Sequence, residues 1–196
     1  MAVDSVINWL TPPPSRSRDC RRYNSVVSTE TMATFFGLLL LAGAVGTIAL
    51  FFAPRLRARF APTAHEIAAV VAVGATAGSL YFSEVANFLP CEFCWYQRIA
   101  MYPLALILPM AVVRRESIPL IYARVIASIG LLIAIYHVQL QWFPEQSSAC
   151  EITNPCTGRW VEAFGWMTIP QMAAISFALI IALITLSIRS LAQEQS

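Results

Sequence analysis

Cys91-Glu92-Phe93-Cys94-Trp95-Tyr96-Gln97-Arg98 sets two thiols two residues apart, where a short polar loop gives way to an apolar run. Such a pair closes to a small disulfide ring or opens to a dithiol, and thiol exchange proceeds through the thiolate. Cys94 lies near the start of the apolar run Ile99–Val113. If that run is helical, the positive end of its dipole favours an anionic sulfur. Arg98 follows at i+4 and shares a helix face with Cys94. A permanent cation inside an apolar segment is costly and asks for a functional reason. Here it would stabilise a thiolate or a reduced, negatively charged acceptor. Zinc is the first alternative, but zinc sites draw on four ligands, and the other loop pair, Cys150 and Cys156, has Cys-x5-Cys spacing rather than knuckle spacing. No metal is expected. The second alternative is a structural or transport protein whose loops are pinned by two disulfides that never cycle.

These residues need elements to hold them, and composition names the medium. The chain has 196 residues, 58% hydrophobic and only 12% charged, against roughly 25% charged for soluble domains. All 13 basic residues are arginine, and the net charge is +2. The arginines fall in short clusters between apolar runs, which favours membrane orientation over nucleic-acid binding. No nucleic-acid motif, glycine-rich phosphate loop or histidine-rich metal site is present in the sequence.

Residues 1–30 are polar, broken by Pro12-Pro13-Pro14, and read as a disordered tail. Cys20, flanked by Asp19 and Arg21, lacks the small apolar residues of an acylation site and is an unpaired bystander. Thr31–Phe52 is an apolar run long enough to cross a bilayer core (about 33 Å at ~1.5 Å per residue). It is too long for the apolar part of a signal peptide, and Pro54-Arg55-Leu56-Arg57 is no cleavage site. Arg55, Arg57 and Arg59 then form a basic loop. Four more spans follow at about 66–89, 95–113, 118–143 and 169–188, and residues 191–196 form a cytoplasmic tail. Small residues in Ala68–Ser79 suit close helix packing, and Pro103 and Pro109 predict a kink in the second of these four. The expected fold is an all-α integral membrane protein: a four-helix transmembrane bundle over 66–190 with one additional N-terminal transmembrane helix.

Arginine counts orient the core. Loops 53–65 and 114–117, with Arg124 and Arg189, carry seven arginines, against Arg159 and the boundary Arg98 on the opposite side. Both cysteine pairs therefore face the extracytoplasmic side, where Trp95, Trp142, Trp160 and Trp166 would form an interfacial belt. A spanning 31–52 segment puts the four tail arginines outside, against the rule. A translation start at Met32 would remove the conflict, and an intact mass of the native product including residues 1–31 would remove that explanation.

Three ionisable groups fall at one depth below the outer surface. Glu84 lies six residues before Pro90, Arg98 four after Cys94, and His137 seven before Pro144, each roughly 6–10 Å of helix rise from its loop. Three such groups on three spans indicate one shared site, with Gln97 and Gln139 as nearby hydrogen-bonding groups. Packing alone would also account for His137, and pairing with Arg98 for Glu84. A two-electron acceptor that sits at membrane depth and gains negative charge on reduction is, most simply, a quinone.

The octet together with Ile99 resembles the first-loop motif of the DsbB family of disulfide bond formation proteins. Ser79-Leu80-Tyr81-Phe82-Ser83-Glu84, Met101-Tyr102-Pro103-Leu104 and Tyr136-His137 resemble its short-loop, BdbC-like branch. So does Cys156 followed by Phe164-Gly165-Trp166-Met167-Thr168-Ile169-Pro170. The resemblance covers about residues 66–190. It implies a four-helix membrane bundle that reoxidises a secreted, thioredoxin-fold, DsbA-like partner. It also implies that Cys150–Cys156 takes electrons from that partner, and that Cys91–Cys94 passes them to a quinone (ubiquinone or menaquinone) beside Arg98. Cys94 is expected to face the quinone as a thiolate, Cys91 to lie nearer the loop surface, and His137 to protonate or hydrogen-bond to the quinol. Gln97 stands where some members have glutamate, and the short Cys-x5-Cys spacing and the helix at 31–52 depart from longer-loop relatives. A vitamin K epoxide reductase-like enzyme also couples thiols to quinones in four helices, but its first-loop cysteines have a different setting.

Overall fold

The structure is a computed structural model. It describes residues 29–194 apart from 115, 117, 147–155 and 160. The expected disordered tail, Cys20, Cys150 and Trp160 thus lie outside the described residues.

Among the described residues there are six α-helices: α1 (Thr29–Phe52), α2 (Pro54–Phe60), α3 (Ala64–Leu80), α4 (Glu92–Arg114), α5 (Ile118–Trp142) and α6 (Ile169–Glu194). Five are long and apolar enough to cross a membrane, with α3 counted through Val85. Val70, Leu106 and Leu132 are each at least two-thirds exposed, the lipid-facing side of a multi-pass membrane protein.

The segment after α1 is a helix where a basic loop was expected. Pro54 starts α2, and Arg and Leu, both good helix formers, carry it to Phe60. The next difference is at the end of α3. The expected span runs to Leu89, but a π-helical turn over Tyr81–Val85 closes the helix early. The Ala86 and Phe88 amides donate to the Tyr81 and Phe82 carbonyls, and Asn87 takes φ 57°, a left-handed value that asparagine tolerates better than most residues. Cys91 then stands at the entry of α4, its carbonyl accepting from the Trp95 amide at 3.1 Å. Pro103 and Pro109 both lie inside an α4 that runs unbroken to Arg114.

Helices α3 to α6 form a closed bundle in which α3 packs on α4, α4 on α5, α5 on α6 and α6 back on α3. Small residues let the backbones approach: Ala64, Ala68 and Ala72 of α3 and Ala123 and Ala127 of α5 are fully buried around Leu104, Leu108, Phe177 and Ile184. Gly130 is required there, because a Cβ would collide with the Phe177 ring.

The long loop ahead of α6 is not wholly irregular. A single turn of 3-10 helix, Pro144–Gln146, follows α5. Strands β1 (Glu162–Ala163) and β2 (Met167–Thr168) form a minimal antiparallel hairpin, with Glu162 opposite Thr168. Its turn holds Phe164 at φ 57° and Gly165 at φ 74°. Helix α1 packs along α6 and against β1. Its Gly37 brings the backbone up to Phe164 and Met167, so the N-terminal end of α1 shares the face of the cysteine loops. Trp95, Trp142 and Trp166 are more than half exposed at that face.

Candidate functional site

The turn between α3 and α4 and the loop between α5 and α6 meet at one end of the bundle. Cys91 Sγ lies 2.9 Å from Cys94 Sγ, within reach for the two sulfurs to exchange a bond for two thiols. Cys91 Sγ also lies 3.6 Å from His137 Nε2 on α5. That same Nε2 lies 3.0 Å from the Cys156 carbonyl oxygen in the second loop. On the ring's other side, Nδ1 is 3.1 Å from the Gln97 side-chain nitrogen. The network assigns the tautomer: the Gln97 amide donates to Nδ1, so the ring proton sits on Nε2 and points to the Cys156 carbonyl, beside Cys91. Gln97, His137 and Cys156 are all buried.

The expectation that Cys91 lies nearer the surface is reversed. Cys91 is buried and Cys94 half-buried. The cause is the entry of α4, which turns Cys91 under His137. The hydrogen bond with Cys94, then burial, push the Cys91 thiol up to about 12.

Arg98 is 9% exposed. Its Nε donates to Ser79 Oγ and one terminal nitrogen donates to the Ser79 carbonyl, both at 3.0 Å. Its guanidinium carbon lies 5.2 Å from the Trp95 ring centre, a cation–π contact. Sequence reasoning missed Ser79 as the residue that aims this cation, since a serine in a run of Ala and Gly reads as packing. It also missed Gln141, whose side-chain nitrogen donates to the Gly158 carbonyl and whose oxygen accepts from Thr168 Oγ1 at 2.7 Å. That pair ties the second loop to α5 and the hairpin.

Glu84 does not join the cluster. It is exposed on the π-helical turn, its carboxylate accepts from Ser83 at 3.0 Å, and among the described residues no ion pair links it to Arg98. The extra residue of the turn shifts the helix phase, so a position counted as inward points out.

A cavity of about 420 Å³ connects these groups. Cys91, Cys94, Gln97, Arg98, His137 and Cys156 line one end, and apolar side chains of α1, α3 and α6 line the rest. An apolar pocket with a few convergent polar groups is the general form of a small-molecule site. Both sulfurs and the His137 ring also lie within 4.8 Å of one another, close enough to share a metal ion when the thiols are reduced.

A membrane helical bundle with a buried dithiol beside a histidine and an arginine defines a thiol–disulfide oxidoreductase class. The sequence model of the disulfide bond formation protein DsbB matches residues 61–187, and the chain belongs to that family. It is 47% identical over 114 residues to disulfide bond formation protein C of Bacillus subtilis, covering 57% of this chain and 83% of that protein. A probable disulfide formation protein of Oceanobacillus iheyensis is 42% identical over 118 residues, 59% of this chain and 81% of the relative. A probable disulfide formation protein C 1 of Bacillus anthracis is 48% identical over 106 residues, 53% and 76% of the two chains. No solved structure gives a significant match. The chain is a multi-pass membrane protein of disulfide bond formation.

Proposed function

We propose that this protein reoxidises an extracytoplasmic thioredoxin-fold (DsbA-like) dithiol partner at the cell membrane and delivers the electrons to a membrane quinone, ubiquinone or menaquinone. The observation that carries the reading is the shared cavity: the Cys91–Cys94 pair, Arg98 and His137 all line one apolar space. The donor set fits a quinone. Arg98 offers charged N–H donors beyond those given to Ser79, and Gln97 is a neutral polar neighbour within the same lining. A quinone bound there accepts two electrons and two protons.

In this reading a partner thiolate attacks the Cys150–Cys156 disulfide, forming a mixed disulfide and freeing one thiol. The second partner thiol resolves that bond, so the partner leaves oxidised and Cys150 and Cys156 are left reduced. One of these thiolates attacks the Cys91–Cys94 bond. Resolution by the other restores Cys150–Cys156 and leaves Cys91 and Cys94 as thiols. The adjacency of Cys156 and Cys91 around one imidazole supports this transfer. Cys94, nearer Arg98, is the sulfur that faces the acceptor, and Cys91 is the sulfur attacked. Their two electrons and two protons leave to the acceptor, and the ring disulfide re-forms. Arg98 lowers the energy of negative charge at that end of the cavity, and His137 moves a proton at Nε2. The arginine-rich opposite end of the bundle supports an extracytoplasmic site.

The test is absorbance-monitored quinone reduction by the purified protein after addition of a reduced thioredoxin-fold dithiol. Turnover in wild type and none in Cys94→Ser is expected. No turnover with either quinone class, from folded protein with its disulfides intact, would return the reading to a structural membrane protein with static loop disulfides.

A further inference from the structure

The cavity is longer than its redox end requires. Along α3 its lining runs from Ser79, which holds Arg98, down to Ile67. Those 12 residues of helix rise about 18 Å, over half of a ~30 Å bilayer core. Its far wall is α1, which lies outside the matched family segment of residues 61–187. Phe36, Leu39, Leu40 and Gly43 line it at i, i+3, i+4 and i+7, a single helix face. Helix α1 rests on α6 through Gly43, where a Cβ would lie 3.3 Å from Leu179. At the redox end the Phe36 ring covers Gly78, about 3.5 Å from where a Cβ would stand. Between these contacts Gly74 faces the cavity with nothing within 4 Å of its missing Cβ.

We propose that the groove between α1, α3 and α6 holds the hydrocarbon tail of the membrane acceptor, and that α1 makes this chain selective for tailed quinones. The inference rests on the quinone reading of the site. Three observations commit the occupant: the groove is continuous with the end holding Cys94 and Arg98, it is lined mainly by apolar side chains, and it follows α3, a helix long and apolar enough to cross a membrane, from Ser79 to Ile67. A free lipid chain has the same chemistry but no link to the redox end.

The experiment measures KM for tailless and polyprenyl-tailed forms of the same benzoquinone and naphthoquinone, using full-length protein in nanodiscs. Gly74→Leu fills the groove, and it should raise the ratio of tailed to tailless KM about tenfold, the effect of about 1.4 kcal/mol of lost tail contact. Phe36→Ala removes the cover at Gly78 and should raise the same ratio severalfold; it decides the matter if Gly74→Leu does not fold. Gly46→Leu, on α1 but outside the cavity lining and with open space around it, should leave the ratio unchanged. An equal change in both KM values for the first two variants would mean that lipid, not the acceptor's tail, fills the groove, and would overturn the inference while the quinone reading stood. Absence of turnover with every quinone in wild type would remove the quinone reading, and this inference with it.

Discussion

His137 Nε2 lies 3.6 Å from Cys91 Sγ and 3.0 Å from the Cys156 carbonyl, so one imidazole joins the two cysteine loops. Its position is set from behind by Gln97. His137→Gln should slow quinone reduction by about 100-fold, the low end of general acid–base effects, with a smaller change in quinone KM. Gln97→Leu frees Nδ1 and should give a weaker version of the same defect. Pre-steady-state quinol formation checks both, and an unaltered rate in His137→Gln would remove the proton-moving role.

The two thiols of the first loop should differ in reactivity. Cys91 is buried, and its hydrogen bond to Cys94 pushes its thiol up to about 12. A raised thiol pKa means that Cys91 stays protonated at every pH below that value, and unreactive to alkylation. Reduced protein pulsed with iodoacetamide at neutral pH should therefore carry label on Cys94 and little on Cys91, read by peptide mass spectrometry. Labelling of Cys91 should climb only as pH approaches 12. Equal labelling at neutral pH would contradict the geometry.

Arg98 depends on Ser79 for its aim. Arg98→Ala should raise quinone KM at least tenfold or cut the rate similarly, as expected for loss of a charged hydrogen-bonding partner worth about 1.5–3 kcal/mol. Ser79→Ala removes only the hydroxyl acceptor and keeps the carbonyl, so its effect should be a few-fold. Because Ser79 acts through Arg98, the double variant should be no worse than Arg98→Ala alone. Additive losses would show that Ser79 acts independently.

How much of this was legible beforehand follows from how local each feature is. Cys91, Cys94 and Arg98 lie within eight residues, so helical spacing alone places them together. His137 could be matched to them by depth, since α4 and α5 are regular helices. Glu84 could not. Its depth was counted along an ideal helix, and the π-helical turn and left-handed Asn87 break that count. Ser79 and Gln141 stayed hidden because their partners, Arg98 and Thr168, are on other elements. The place of α1 is the same kind of fact: an apolar run announces a span, but only Gly37 against Phe164 and Gly43 against Leu179 say which side of the bundle it covers.

Reduced protein offers Cys91, Cys94 and His137 ligand atoms within 4.8 Å of one another, three donors of the type zinc prefers. Added Zn²⁺ should therefore inhibit turnover, and a chelator should restore it. The reduced form should be the sensitive one, since a disulfide supplies no thiolate. Cys94→Ser should bind zinc more weakly in direct titration. Equal zinc affinity in oxidised and reduced wild type would place the binding elsewhere.

The central claim is that electrons leave a partner dithiol through these cysteines and end on a quinone. The most direct measurement is stoichiometric: in one anaerobic reaction, count disulfides formed in a reduced thioredoxin-fold protein and quinol formed in the membrane, with catalytic amounts of this enzyme. One quinol is expected for each disulfide, and neither product with Cys91→Ser or Cys94→Ser. Disulfides appearing without quinol, or no change in either while Cys91 and Cys94 stay oxidised, would contradict it.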